Sequence, residues 1–338
     1  MAGEMADIWD GDGFTVESLT AAINNQPYRP GQVSASGIFE EDGVTTTRIS
    51  IEQRDGKLSL VEPTKRGAAG ETVDDDDRSL VPFDIDHFQR DDSVLADEVQ
   101  NVRQFGTTDQ LETIEQRVVR KGARHAQDLT MTLEHLRVGA LKGIVTSKSG
   151  KTLIDLYNRF GIAVPAPVSL ELDVDTTKVG SLWQDVVYSI EDDLDEPYSG
   201  IHVFTGRDFH KALWTHKSVT ETFLYHGGAA VLRQDVPDVF PFGGATWERY
   251  RTGAKATADL GAPYIAANEA RVVVRGVPQL FITRFAPADY EETVNTIGLP
   301  FYMKQEPKRF NKGRDIQVQM NPINLCTKPK VLRKLTLT

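Results

Sequence analysis

The segment Ser149-Gly150-Lys151-Thr152 has the residue types that bind nucleotide phosphates. In a P-loop, this ending follows a second glycine five residues before the glycine that precedes the lysine. Here that earlier position is Val145, and Gly143 is out of register. The surrounding pattern predicts strand–turn–strand, which lacks the helix N-terminus that should hold the phosphate. We therefore predict a turn at Ser147–Lys151 and no nucleotide site.

Side chains that could ligate a metal or act as nucleophiles are scattered along the chain. No two histidines form an H-x-x-x-H or H-E-x-x-H pair and there is one cysteine, so the sequence predicts no zinc site. No G-x-S-x-G nucleophile elbow occurs. Cys326 lies in the apolar stretch Pro322–Thr327, where we predict a buried structural cysteine. The histidines are His87, His125, His135, His202, His210, His216 and His226.

Four consecutive carboxylates, Asp74–Asp77, form the densest charge run. They lack the alternating spacing of a calcium loop, so we interpret them as a solvated loop tip or as a charge patch directed at another subunit. No nucleophile, base and metal cluster converges anywhere in the sequence. We therefore assign no catalytic, cofactor-binding or metal-binding residue, expect no cofactor, and predict that the protein is not an enzyme.

Composition narrows the class of protein. The 338 residues, 40% of them hydrophobic, suffice for one large or two moderate domains. A net charge of −11 argues against general nucleic-acid binding, which needs a basic face. A single cysteine excludes an intrachain disulfide and fits a reducing compartment. With no apolar run long enough to span a bilayer and an acidic N-terminus unlike a signal peptide, we expect a cytoplasmic product without membrane contact.

A long hairpin is predicted from about Gly37 to Val94. Its arms are strand-like in Thr46–Val61 and Ser79–His87, and its tip, Thr64–Arg78, is glycine-rich and acidic. An isolated two-stranded ribbon is marginally stable in water, and its open edges favour pairing with another chain. The hairpin therefore predicts an arm that lies on a neighbouring subunit and makes few contacts within its own, which is typical of an assembly protein.

A very long helix is predicted directly after the hairpin, from Thr107 to Lys142. Thr107 and Gln110 form a capping box, and apolar residues recur at spacings of three and four. About 33 residues at ~1.5 Å each give a rod of roughly 50 Å. The apolar stripe is narrow, so we predict a strut that packs one side across a sheet. A coiled-coil dimer is the alternative, although Gly122 and His125 interrupt the stripe.

The remaining pattern mixes helices and strands without a regular βαβ repeat, which predicts the α+β class. The predicted helices are one or two turns at Val16–Asn24, Lys178–Leu194 and Arg207–Thr222. The predicted strands are a hairpin within Leu141–Ile162, then Ile201–Phe204, Thr246–Arg251, Arg271–Val274, Gln279–Arg284 and Asp315–Met320.

Several stretches together resemble one family, the lambda-type (protein E family) major capsid proteins of tailed bacteriophages. The resemblance covers nearly the whole chain from about Gly37. It is carried by Ile49–Pro63 (ISIEQRDGKLSLVEP), Asp91–Gly106 (DDSVLADEVQNVRQFG), Leu133–Gly143 (LEHLRVGALKG), Tyr157–Ile162, Phe242–Tyr250 (FGGATWERY), Ala267–Pro278 (ANEARVVVRGVP), Phe285–Arg309 and Pro322–Pro329 (PINLCTKP). No single stretch is specific, but the set is.

The resemblance implies the Hong Kong 97-type phage capsid fold, with an N-terminal arm, an extended loop (E-loop), a spine helix, a peripheral P-domain and an axial A-domain. By analogy we expect the arm at residues 1–36, the E-loop at 37–94, and the first part of the P-domain at 95–165 with the spine helix at 107–142. The A-domain would follow at 166–275 and the rest of the P-domain at 276–338. The acidic loop tip is the stretch least like the family.

The function implied is a major capsid protein that self-assembles into pentamers and hexamers, forming the icosahedral head shell around phage DNA. We expect it in the virion, and in the host cytoplasm during assembly. Expected partners are further copies of the chain, a portal, a scaffold, a cement or decoration protein, and double-stranded DNA contacted without sequence specificity. One alternative is an encapsulin-like cargo shell of the same fold; another is a soluble enzyme with an unrecognised site.

Charge is distributed unevenly along the chain. Glu71–Asp92 holds two basic and nine acidic residues, a net of −7, whereas Lys304–Lys334 holds nine basic and two acidic residues, a net of +7. One hypothesis is that these segments approach each other between subunits and set the E-loop register. The alternatives are two separate solvated faces, or a basic end that faces the DNA.

Overall fold

A computed structural model describes residues 15–24, 31–54, 78–99, 114–225, 237–252, 257 and 260–338. Helices and strands are mixed without a regular repeat, which confirms the α+β class. The helices are α1 (Val16–Asn24), α2 (Gln32–Ala35), α3 (Ala96–Val99), α4 (Ile114–Lys142), α5 (Leu156–Arg159), α6 (Val179–Leu194), α7 (Arg207–Thr215) and α8 (Lys217–Tyr225). The strands are β1 (Glu40–Gly43), β2 (Arg48–Arg54), β3 (Arg78–Asp84), β4 (Phe88–Leu95), β5 (Ile144–Thr146), β6 (Thr152–Asp155), β7 (Val168–Ser169), β8 (Gly200–Thr205), β9 (Val239–Phe242), β10 (Ala245–Arg249), β11 (Glu269–Arg275), β12 (Phe281–Phe285), β13 (Tyr302–Pro307), β14 (Gly313–Met320), β15 (Pro322–Cys326) and β16 (Arg333–Thr336).

The largest sheet has the strand order β7-β16-β11-β8-β10-β9. β10 runs parallel to β8 and β16 to β7, whereas the other neighbours are antiparallel. The helix predicted over Lys178–Leu194 is confirmed as α6, whose apolar side buries Val179, Trp183 and Ile190. Trp183 meets Trp247 of β10 edge to face, with ring centroids 4.8 Å apart. Large aromatic side chains thus join helix and sheet in this core.

The long helix α4 is the structural strut that the sequence predicts. Its described part has 29 residues, roughly 44 Å at ~1.5 Å per residue, and ends at Lys142 as predicted; the predicted start at Thr107 lies outside the described residues. Leu129, Leu133 and Leu136 of the predicted stripe are buried. The helix packs on β4, β14 and β15 of its own subunit. Because these strands cover the stripe, it is not available for a coiled-coil dimer.

A second, smaller core lies at the other end of α4. The antiparallel sheet β13-β14-β4 turns one face to α4 and α1. The predicted turns at Val16–Asn24 are confirmed as α1, which docks on β13: Asn24 donates to the Phe301 carbonyl at 2.9 Å, and the Met303 amide donates to Thr20 at 3.2 Å. The apolar side chains buried here include Leu19, Ile23, Val94, Val118, Met303, Ile316, Val318 and Met320.

The predicted hairpin forms a ribbon in which β2 pairs with β3 in antiparallel register, from Arg48 opposite Asp84 to Arg54 opposite Arg78. Its base is better anchored than the sequence indicates. Phe83 is 1% exposed and lies 5.9 Å, centroid to centroid, from Phe160, and partly buried apolar side chains beside it pack on the same core. The expectation that the hairpin makes few contacts within its own subunit is therefore wrong for this base; residues 55–77 lie outside the described part.

Two other predictions differ from the structure. β1 and β4, at the two ends of the predicted hairpin, pair with β12 and β14 instead of with each other. The helix predicted over Arg207–Thr222 is two helices, since His216 is extended (φ −64°, ψ 135°). The His216 ring accepts from the Ser218 amide and donates to the Val174 carbonyl. It thereby caps α8, which overrides the helical pattern.

Candidate assembly surfaces

The P-loop-like segment is a hairpin turn, as predicted. The Ser147 amide donates to the Lys151 carbonyl at 2.8 Å, and the Gly150 amide donates to the Ser147 carbonyl at 2.9 Å. Gly150 has φ +80°, the left-handed conformation that favours glycine. Thr152 then begins strand β6 and not a helix. The dipole and free amides of a phosphate-binding helix start are thus missing at this turn.

The described histidines make structural hydrogen bonds. His210 bridges Thr205 and the Pro237 carbonyl, and His135 contacts the Thr146 carbonyl. Burial lowers the pKa of both rings. His87, His125 and His202 contact Asn321, Asp92 and Glu248 respectively, while His226 lies outside the described residues. Across the ranges that the structure describes, no three side chains of the His, Cys, Asp or Glu type are grouped to hold a metal ion.

Cys326 is fully buried in β15, as the sequence predicts. Burial raises the pKa of its thiol to about 12, so the thiolate that a nucleophile needs does not form at neutral pH.

The arm is anchored by Glu134, a buried carboxylate in α4. It accepts from the amides of Val33 and Ser34 at 2.8 and 3.0 Å, and from the hydroxyls of Ser34 and Tyr250 at 2.6 Å each. These bonds satisfy free amides at the start of α2. Burial, and then Glu134 itself, raises the pKa of Tyr250, which stays a donor. The sequence did not predict this anchor. The one feature that could have indicated it is the position of Glu134 next to Leu133 of the apolar stripe.

A second contact fixes the same arm segment to the large sheet. Gln32 donates to Glu248 at 2.5 Å and to the Arg249 carbonyl at 3.0 Å. Glu248 also lies 2.9 Å from His202 on the neighbouring strand β8. Burial alone would raise the pKa of Glu248, but hydrogen bonds from His202 and Gln32 lower it. The arm, the long helix and the large sheet are thus joined at one point.

A third contact ties α4 to the segment that leads into the ribbon. Arg137, which is 0% exposed, donates to Glu41 at 2.6 Å. Its guanidinium lies 5.4 Å from the centre of the Phe39 ring, a cation–π arrangement. The long helix therefore positions the chain directly before the ribbon begins.

The charge of the basic C-terminal segment is mostly compensated within the subunit. Five of its basic residues form ion pairs with acidic residues of the same chain: Lys304 with Glu292, Lys308 with Asp315, Lys328 with Glu196, Arg333 with Asp193 and Lys334 with Glu269. Asp315 is already counted in the net of +7, and the four partners from outside the segment lower that net to +3, so the segment is not a free positive surface of +7. This weakens the hypothesis that the whole segment attracts an acidic E-loop, while Asp74–Asp77 lie outside the described residues.

A ribbon, a long helix that crosses a small sheet, and a larger mixed sheet together form the arrangement of the Hong Kong 97-type fold. The mature capsid of bacteriophage PhiM1 has this fold with a TM-score of 0.54 and 11% sequence identity, covering 93% of this chain and 89% of the phage chain. The likeness confirms the expected fold. No helix within the described ranges is both long and apolar enough to cross a membrane.

The chain belongs to the phage major capsid protein E family, whose sequence model matches residues 15–337. It is 28% identical to the major capsid protein of Pseudomonas phage KPP10, over 96% of this chain and 97% of the relative. It is also 23% identical to the major capsid protein of Salmonella phage Felix O1, over 94% and 95%. Its function is that of a major capsid protein, a structural component of the virion shell, as the resemblance predicts.

Proposed function

We propose that copies of this chain form pentamers and hexamers that tile an icosahedral head shell around double-stranded phage DNA. The proposal joins the family's structural role to the ribbon, the element best suited to reach a neighbour. The contacts have no catalytic step, and the chain needs neither cofactor nor metal. The DNA would lie against the inner face without sequence-specific contacts, because a net charge of −11 argues against a general nucleic-acid-binding surface.

One observation supports the ribbon as the contact element. β2 and β3 form a two-stranded sheet, with no third strand beside them among the described residues. One side of the ribbon base packs on the core, while Leu80 on the other side is 68% exposed. Open strand edges and an exposed leucine are features that a second chain covers.

We expect the N-terminal arm to contribute little to the contacts between subunits, because its helices α1 and α2 pack on their own subunit. We keep the proposed borders of the arm (1–36), E-loop (37–94), P-domain (95–165 and 276–338) and A-domain (166–275). The sheet order qualifies this division: β16 returns from the C-terminal segment into the large sheet of the A-domain.

A portal, a scaffold and a decoration protein are the further partners we propose. Both curated relatives are phage capsid proteins, which favours a DNA-filled head over a cargo shell.

Electron microscopy of the purified protein tests this function, since closed shells with fivefold and sixfold capsomers are expected. A variant that replaces residues 64–77 by a Gly-Gly link should stay folded by circular dichroism but assemble poorly. The control replaces the same residues by a Gly/Ser segment of equal length, which separates loss of loop contacts from strain in a shortened loop. Normal shells from both variants would contradict the role of the loop.

A further inference from the structure

The small sheet β13-β14-β4 turns one face to solvent. Side chains alternate along a strand, so Met303, Ile316 and Val318 point to the core, and their neighbours point outward. Along one cross-strand row, Glu306 lies opposite Asp315. Along the next, Lys304, Gln317 and Asp91 share the outward face.

This outward face carries more negative than positive charge. Glu306 and Asp315 are directly opposite each other, and like charges in that position destabilise a sheet unless they are compensated. Lys308 compensates Asp315 at 2.7 Å, and Lys304 is held by Glu292 at 2.8 Å. Counting Asp91 and Glu306 as well, the face has four carboxylates and two ammonium groups.

A recess of about 460 Å³ lies on this face, lined by Asp91, Lys304, Glu306, Asp315 and Tyr290. Tyr290 is 8% exposed, and its hydroxyl finds no hydrogen-bond partner in the part of the chain that the structure describes. Burial, and then the charge of Asp91, raises the pKa of this hydroxyl. The hydroxyl therefore stays neutral, and its oxygen can accept a hydrogen bond. A buried polar group without a partner costs free energy, which a cationic donor would recover.

The hairpin that joins β13 to β14 has the opposite character. Its tip, Arg309–Lys312, is exposed throughout, and Phe310 is 82% exposed. Phe310 has φ +63°, a left-handed conformation that is strained for an aromatic residue. The Arg309 guanidinium lies 5.6 Å from the centre of its ring. An exposed, strained aromatic residue beside cations is the composition of an interface anchor.

We propose that the tip Arg309–Lys312 of one copy docks into the acidic recess of a second copy, with Phe310 over the recess and Arg309 facing Asp91, Glu306 and the Tyr290 hydroxyl. The inference rests on the proposed function, because it needs two copies in one shell. Phe310 is 82% exposed and does not line the recess of its own subunit. The distal E-loop fits the recess less well, since residues 55–77 carry three basic and seven acidic side chains.

The test uses the fact that the only natural cysteine, Cys326, is fully buried. Two variants, Phe310→Cys and Asp91→Cys, are made with tags of different size and assembled together. Shells are verified by electron microscopy and then oxidised. We expect a heterodimer band on a non-reducing gel from the mixture, and not from either variant alone.

A charge exchange covers the case in which the cysteines are poorly oriented. Arg309→Glu and Glu306→Arg should each lower the yield of shells by about tenfold, because like charges then meet at the contact. The double variant should recover most of that loss. Lys217→Glu, an exposed charge reversal on α8, serves as the control and should assemble normally.

The possible results distinguish the proposed contact from the proposed assembly. A heterodimer, or rescue in the double variant, supports the contact. Intact shells with neither a heterodimer nor an effect of the charge reversals overturn it, leave the capsid function standing, and point to another occupant such as a scaffold or decoration protein. If the wild-type chain forms no shells at all, the proposed assembly itself fails.

Discussion

At the scale of single residues, Glu134 stabilises the junction of three elements. Its two oxygens accept four hydrogen bonds from the arm and from Tyr250. Glu134→Gln keeps the size and shape of the side chain but replaces one accepting oxygen by an NH2 group. That group would then face the amide and hydroxyl donors that the carboxylate binds. We expect the free energy of unfolding of the unassembled subunit to fall by about 1–3 kcal/mol, measured by denaturant titration.

The matched control is Glu221→Gln on α8. Glu221 is 52% exposed and lies 4.0 Å from Lys217, and exposed ion pairs of this kind contribute about 0–1 kcal/mol. If the Glu134 variant is no less stable than this control, the carboxylate does not anchor the arm.

We expect His210 to make the stability of the folded subunit depend on pH. Burial lowers the pKa of its ring below the ordinary value of 6.5. Above that value the ring is neutral in both the folded and the unfolded chain. As the pH falls below it, the unfolded chain binds the proton first, so stability is lost until the pH passes the lower, folded pKa.

His210→Gln removes this titration. Melting temperatures of the subunit from pH 7.5 down to 5 should decline less steeply in the variant than in the wild type, whatever their absolute level. Burial also lowers the pKa of His135, so that histidine adds to the wild-type slope in the same direction and part of the decline will persist. Equal slopes in the two proteins would show that His210 does not contribute.

At the scale of elements, a glycine ends the long helix α4. Gly143 follows Lys142, has φ +81°, and a Cβ placed there would overlap the Tyr157 ring. Gly143→Ala therefore adds both backbone strain and a steric overlap. We expect it to lower the free energy of unfolding by about 2–4 kcal/mol, measured by denaturant titration of the subunit.

Gly150 provides a control with nearly the same backbone. It has φ +80°, but a Cβ there meets open space. Gly150→Ala should cost only the strain, about 1–2 kcal/mol. If the two alanine variants lose equal stability, the contact with Tyr157 is not what constrains the end of the helix.

Elements with a long, regular pattern were predictable from sequence, and elements decided by one side chain were not. The apolar stripe of α4 and the face of α6 follow from spacing alone. The break at His216 depends on ring hydrogen bonds to Val174 and Ser218, which periodicity does not encode. The acidic recess was missed for the same reason: Asp91 and Glu306 are far apart in sequence and meet through the pairing of three strands.

At the scale of the whole molecule, the distribution of charge decides which contacts depend on salt. Counted along the chain, the two oppositely charged segments appear matched, at −7 and +7. In the folded subunit, five basic residues of the second segment have acidic partners of their own. The C-terminal segment is therefore a weaker partner for the acidic tip than its charge along the sequence indicates, and we predict that the tip is a separate solvated patch.

Replacement of Asp74–Asp77 by asparagine tests this view. We expect the variant to assemble, by light scattering, with the salt dependence of the wild type, because five basic residues of the segment proposed to meet the tip already have acidic partners. Near 1 M salt, where the Debye length is about 3 Å, steering between exposed charges fades in both proteins. Arg309→Glu serves as the comparison, since the proposed docking predicts that it alters the salt dependence. If the asparagine variant instead loses the wild-type dependence, the E-loop tip pairs with basic residues of a neighbour, and the original hypothesis of pairing between subunits is restored.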